Sequence, residues 1–122
     1  MDTKNEKMIL VVEDDDSNYL YLRTILEKQG HQLLRAKDGL EAIEYFKAHQ
    51  SSIALVLLDI KIPELDGTQV AKAIKKISDT PIIAQTAHAL SGDREKMLAA
   101  GCDDYISKPI LRKELLGKIN AL

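Results

Sequence analysis

The stretch that most constrains this chain is Leu55-Val56-Leu57-Leu58-Asp59-Ile60, an apolar run carrying a carboxylate near its end. Polar Ser51-Ser52 precedes it and Lys61-Ile62-Pro63 follows, which suits a strand buried on both faces, as in a parallel sheet. Such a strand delivers Asp59 to its own carboxyl end. Ligands of open α/β sheets bind in the crevice outside those ends, so Asp59 is a functional candidate. The competing reading is an Asp that caps the following loop.

The rest of the chain alternates around this run. Met8 to Val12 reads as a first strand that stops at the acidic cluster Glu13-Asp14-Asp15-Asp16, where four carboxylates repel one another unless solvated or bound to a cation. Tyr19, Leu22, Ile25 and Leu26 then recur at helical spacing, and Gly30 suits the end of that helix. Gln32 to Ala36 reads weakly as a second strand, followed by Asp38 as N-cap of a helix carrying Leu40, Ile43 and Phe46. After Asp59, Pro63 and Asp66-Gly67 mark a tight loop, and Val70, Ala73, Ile74 and Ile77 follow the i, i+3, i+4, i+7 pattern of a third helix. Pro81 to Thr86 predicts a fourth strand; Ser91 caps a helix with Met97 and Leu98 that closes at Gly101. Asp104 to Ser107 is a short fifth strand before Lys108-Pro109, and a last helix carries Leu111, Leu115, Ile119 and Leu122. Five strands alternating with five helices predict an α/β fold: a doubly wound, five-stranded parallel sheet with right-handed crossovers.

Composition narrows the function classes. A chain of 122 residues, 45% hydrophobic and 30% charged, is the size and make-up of a single globular domain, here 1–122 with a polar N-terminal extension over 1–7. No apolar run approaches the roughly 20 residues of a membrane helix, and Met1 to Lys7 lacks a signal-peptide core. A cytoplasmic location is expected. The formal net charge of −2 gives no basic footprint for nucleic acid. The single Cys102 excludes an intramolecular disulfide and reads as a small buried thiol. His31 and His49, at a strand start and a helix end, read as surface residues without partners.

Four of the five strands end in a chemically notable group: Glu13 and Asp14, Asp59, Thr86, and Lys108. In the flavodoxin-like order 2-1-3-4-5 the first and third strands are neighbours, which brings the three acids together. Acids so close raise one another's pKa unless a cation compensates. Oxygen-only ligands at an open crevice suit Mg2+, which keeps several waters and is held by one or two carboxylates plus a phosphate. Asp59 is then both ligand and nucleophile, one oxygen for each role. Phosphoryl transfer asks mainly for positioning and charge neutralisation, to which the Lys108 ammonium and Thr86 hydroxyl contribute.

These motifs, from Ile9-Leu10-Val11-Val12-Glu13-Asp14 through Leu57-Leu58-Asp59-Ile60-Lys61-Ile62-Pro63-Glu64-Leu65-Asp66-Gly67 and Thr86-Ala87 to Tyr105-Ile106-Ser107-Lys108-Pro109, resemble in order those of a response-regulator receiver domain of the chemotaxis-regulator type. The resemblance spans essentially the whole chain. It implies that Asp59 is the phosphoacceptor, Asp14 a direct Mg2+ ligand, Glu13 a ligand through water, and Lys61 a ligand through its backbone carbonyl. It implies further that Thr86 and Lys108 hold the phosphoryl group, that the Lys108-Pro109 bond is cis, and that Thr86 and Tyr105 form a switch pair. Tyr105 equally suits a ring at a strand edge with its hydroxyl in water. Glu13 departs from the Asp found in many members and lengthens the arm by one methylene. Lys61 and His88 fall at positions that flank the incoming water in this family, and either tune the acyl-phosphate lifetime or are solvated.

The function so implied is a phosphoacceptor signalling switch, not an enzyme beyond Mg2+-dependent self-phosphorylation and autodephosphorylation. Its donor is a histidine kinase or histidine phosphotransfer protein. A phosphatase of the haloacid-dehalogenase type needs an Asp where Lys61 stands, and a flavodoxin-like flavin carrier needs a phosphate cradle where Glu13 to Asp16 would repel one. A non-phosphorylated pseudo-receiver is the lesser alternative. Only one helix is expected after Ile110, so no output domain is expected, and the chain reads either as a stand-alone regulator or as a receiver from a hybrid histidine kinase. The resemblance places the downstream partner on the face of the fourth helix, fifth strand and fifth helix, with Ala89, Leu90 and Tyr105 as contacts.

Overall fold

The computed structural model describes residues 7–61, 66–87 and 92–122. Among the described residues ten elements alternate: β1 (Met8–Val12), α1 (Asp16–Lys28), β2 (Gln32–Ala36), α2 (Gly39–Ala48), β3 (Ile53–Asp59), α3 (Gly67–Lys75), β4 (Ile82–Thr86), α4 (Arg94–Ala99), β5 (Asp104–Ser107) and α5 (Arg112–Asn120). The strands form one parallel sheet in the order β2-β1-β3-β4-β5. This is the flavodoxin-like, doubly wound arrangement that the sequence implies.

Alternation along each strand divides the core in two. Leu10, Val12, Val56, Leu58, Ile82 and Ala84 pack with Ala42 and Phe46 of α2, Val70, Ala71 and Ile74 of α3, and Met97 of α4. Ile9, Val11, Leu55, Leu57, Ile83 and Ile106 face the other way, against Leu22, Ile25 and Leu26 of α1 and Leu115 and Ile119 of α5. The central strands are apolar at nearly every position because both of their faces are covered. Each fully buried Leu or Ile contributes about 1.5–3 kcal/mol relative to exposure.

The helix ends follow local chemistry. Asp15, Asp38 and Asp66 accept backbone N–H groups at the starts of α1, α2 and α3. Helices α1 and α4 close on Schellman turns at Gly30 (φ 89°) and Gly101 (φ 103°), with His31 N–H donating to Leu26 O and Cys102 N–H to Met97 O. The expected Ser91 cap lies outside the described residues, and Asp93 occupies the N-cap position of α4.

Several expected core positions are exposed instead. Leu40, Ile77, Leu98, Leu111 and Leu122 all face solvent, Leu111 at 62% exposure. Ile77 and Leu122 lie beyond the last helical residue of α3 and α5, and Leu111 is the N-cap of α5, so helical periodicity does not govern where they point. Leu40, in the first turn of α2, and Leu98, near the end of the short α4, sit off the edge of the sheet-facing stripe. His31 departs from expectation in the opposite sense: it is 5% exposed, and its Nδ1 accepts the Lys7 N–H at 3.0 Å. The Schellman turn carries the chain from α1 into β2 and turns His31 inward. His49 is exposed, and Cys102 is buried and free. No helix among the described residues is long and apolar enough to cross a membrane.

Candidate functional site

Parallel pairing sets the site. Val12 of β1 is in register with Leu58 of β3, so Glu13 leaves the sheet beside Asp59. On the other flank, Asp59 is in register with Gln85 of β4, and Gln85 with Ile106 of β5. Two residues past Ile106 lies Lys108, whose parity puts it on the side of the sheet shared by Asp59 and Glu13. A cis Lys108-Pro109 bond follows, and Lys108 N–H donates to Thr86 O at 2.8 Å, which ties the ends of β4 and β5 together.

The charged groups converge. Asp59 is 5% exposed; Lys108 Nζ donates to its Oδ2 at 2.8 Å, and Lys61 N–H to its Oδ1 at 3.0 Å. Glu13 is fully buried and lies 3.8 Å from Lys108 Nζ. Its carboxylate accepts the Asn18 side-chain amide from α1 and the Asp15 N–H. Arg35 donates to the Glu13 backbone carbonyl, pairs with Asp16 at 2.8 Å and stacks on Tyr19, which anchors the start of α1 to β2. Glu13, Asp14 and Asp59 each bring a carboxylate oxygen within 4.8 Å of the others.

Electrostatics register this crowding. Burial raises the Glu13 pKa above the ordinary carboxylate value, and the Asp59 charge raises it further; the Asn18 hydrogen bond and Lys108 only partly offset this. For Lys108, burial alone would favour the neutral amine, but the hydrogen bond to Asp59 and the charges of Asp59, Glu13 and Asp14 outweigh it, so the ammonium is held above its usual pKa. Among the described residues, one cation thus faces three acids. An oxygen-only, net-negative donor set of this kind fits a hard divalent cation that keeps part of its water.

Thr86 and Tyr105 stand on the opposite parity, with Ala84, on the α2–α4 side of the sheet. Thr86 is buried, and its hydroxyl donates to Asp93 Oδ2 at 2.8 Å. The half-buried Tyr105 ring lies 5.4 Å from the Arg94 guanidinium and 5.6 Å from Lys118 Nζ. Glu13, Asp14, Asp59 and Lys108 are therefore brought together, with the Lys61 backbone against Asp59. His88, Ala89 and Leu90 lie outside the described residues. The parts played by Asn18, Asp93 and Gln85 do not emerge from the sequence. For Asn18 the available signal is a polar residue in the first turn of α1, within reach of the acidic cluster.

A sequence model of the response regulator receiver domain matches residues 9–120. The polar-differentiation response regulator DivK of Brucella anthropi is 38% identical over 107 residues, 85% of each chain. Among solved structures, the receiver domain of sensor histidine kinase PA1611 from Pseudomonas aeruginosa, with a magnesium ion coordinated in its active site cleft, superposes with a TM-score of 0.86 at 34% identity, covering 95% of this chain and 96% of the other. The receiver domain of the Saccharomyces cerevisiae regulator Ssk1, crystallised with the histidine phosphotransfer protein Ypd1, gives a TM-score of 0.87 at 30% identity, covering 94% and 87%. The chain belongs to the response regulator receiver domain family of two-component signalling proteins.

Proposed function

We propose that Asp59 is the phosphoacceptor of this receiver and that residues 1–122 form one such domain, with 1–7 as a polar extension. The observation that carries this reading is a nearly buried carboxylate at the end of the central strand, 2.8 Å from a lysine ammonium and beside two further acids. An Asp59 carboxylate oxygen attacks phosphorus, the phosphorus–nitrogen bond of a phosphohistidine breaks, and its electron pair leaves with the imidazole. Lys108 neutralises charge on the peripheral phosphoryl oxygens, and Thr86 supplies a hydroxyl donor.

Glu13, Asp14, Asp59 and the Lys61 carbonyl would hold Mg2+, with Glu13 acting through water. Bound there, the ion supplies electrostatic stabilisation to the phosphoryl oxygens. The donor set and the excess of acids over cations favour this choice, and so does the magnesium-bearing cleft of the PA1611 receiver. Lys61 and His88 are assigned to tuning the acyl-phosphate lifetime, Thr86 and Tyr105 to the switch.

The phosphodonor is a histidine kinase or a histidine phosphotransfer protein, on the cytoplasmic side of the membrane; the Ypd1-bound relative supports the second class. The downstream partner is a protein that binds the α4–β5–α5 face, through Ala89, Leu90 and Tyr105. Phosphorylation must favour one arrangement of that face by a few kcal/mol to shift its population usefully. A second reading, a receiver excised from a hybrid histidine kinase, draws on the likeness to PA1611. Intact mass after incubation with acetyl phosphate and Mg2+ tests the assignment. A gain of one phosphoryl group, absent in Asp59→Asn and with EDTA, is expected; the same gain in Asp59→Asn would overturn it.

A further inference from the structure

The Thr86 hydroxyl is engaged by a carboxylate that is not one of the Glu13, Asp14 and Asp59 cluster. By parity Thr86 faces the α2–α4 side, and there its Oγ1 donates to Asp93 Oδ2 at 2.8 Å. Asp93 lies in a helical turn that runs into α4 (φ −62°, ψ −36°), and its side chain makes no capping bond to the helix. Its carboxylate reaches back to the end of β4, where it accepts the Thr86 hydroxyl. The next residue, Arg94, lies over the Tyr105 ring, so two consecutive residues at the start of α4 contact both members of the assigned switch pair.

Building on the phosphoacceptor assignment of Asp59, we propose that Asp93 is a positioning residue for phosphoryl binding, whose carboxylate holds the Thr86 hydroxyl on the α4 side until a phosphoryl group on Asp59 outcompetes it. A hydroxyl has one proton to donate, and both acceptors are anionic. Binding of a phosphoryl group at Asp59 therefore breaks the Thr86–Asp93 bond, and the strength of that bond subtracts from phosphoryl affinity. Release leaves the Asp93 carboxylate without the Thr86 donor at the foot of α4, which links chemistry at Asp59 to the output face.

The test is a titration of the full chain with beryllofluoride in saturating Mg2+, followed by amide NMR, for wild type, Asp93→Ala, Asp93→Asn, Thr86→Ala and the double variant Thr86→Ala/Asp93→Ala. Asp93→Ala should bind about tenfold more tightly than wild type, the scale of one hydrogen bond to a charged acceptor. Asp93→Asn, which keeps an acceptor, should fall between them. In the Thr86→Ala background the Asp93 substitution should change affinity less than twofold, which a general charge or folding effect would not reproduce. Equal affinities of wild type and Asp93→Ala, or an equal gain with and without the Thr86 hydroxyl, overturn the inference while leaving Asp59 assigned. Failure of wild type to bind beryllofluoride at all overturns the Asp59 assignment, and this inference with it.

Discussion

Replacing Gly67 by Ala should damage both stability and phosphoryl uptake, although Ala is the better helix former. A Cβ at Gly67 would lie 2.6 Å from Ile60 Cα, 3.0 Å from Asp59 O and 3.2 Å from Ile60 C. Ordinary carbon contacts are about 3.5–4.0 Å, so the backbones must separate by about 1 Å. Neither side yields easily. Ile60 N–H donates to Gln85 O at 3.1 Å, and Gly67 N–H to Ile60 O at 2.8 Å, so the shift strains the β3–β4 ladder at the proposed phosphoacceptor, Asp59. Overpacking of this kind costs about 1–3 kcal/mol, or roughly 4–12 °C in melting temperature for a chain of this length. A displacement of about 1 Å at Asp59 and Lys61 should slow phosphorylation about a hundredfold. At Gly117, inside α5, an added Cβ would meet nothing within 4 Å, and Gly117→Ala should gain about 0.5–1 kcal/mol from helix propensity alone. Urea unfolding by circular dichroism and the rate of acetyl-phosphate labelling measure both effects. A Gly67→Ala variant within about 0.5 kcal/mol of wild type, the usual scatter of neutral surface changes, or as stable as Gly117→Ala, would refute the steric argument.

Three further outcomes follow from particular side chains. Gln85 is fully buried and neither amide atom has a hydrogen-bond partner among the described residues, so Gln85→Leu should raise stability by about 1–3 kcal/mol; a lower urea midpoint would show that the amide is satisfied. Burial, aided by Asp103, pushes the Cys102 thiol up to about 11, so at pH 8 only about one molecule in a thousand carries the thiolate. Labelling by a disulfide reagent should be slow in the native protein and prompt in denaturant, and prompt native labelling would contradict the burial. The Thr68 hydroxyl at 2.6 Å, joined by the Gln69 N–H, holds the Asp66 carboxyl below 3.8 despite partial burial. Because the folded-state pKa is depressed, this stabilisation is complete above the ordinary carboxylate value and is lost as pH falls through the folded value. Asp66→Ala should cost about 1 kcal/mol at neutral pH, and the gap to wild type should close below about pH 4. A gap independent of pH would contradict it.

The fold is legible because its signals are local. The run ending at Asp59 is apolar on both parities because both sheet faces are covered, and Gly30 and Gly101 stand where left-handed backbone closes a helix. The acid–lysine cluster follows once the strand order is inferred. Side-chain placement at element ends is not legible. His31 reads as a surface residue at a strand start, and only the turn geometry shows it buried; Leu111 and Leu122 match the apolar period, but lie at or beyond the ends of α5. Gln85 hides inside an apolar strand, where no exposed face remains to take it. The Thr86–Asp93 and Asn18–Glu13 bonds join different elements through side chains, and no periodicity encodes such pairs.

The central claim is that Asp59, among three adjoining acids, takes the phosphoryl group. Borohydride reduction tests it most directly, because it converts an acyl phosphate to an alcohol and marks the carboxylate that carried it. After labelling with acetyl phosphate and Mg2+, peptide sequencing by mass spectrometry should find homoserine at position 59 and leave Glu13 and Asp14 unreduced. Reduction at Glu13 or Asp14, or a phosphoryl adduct with no reduced acid at all, would contradict the account.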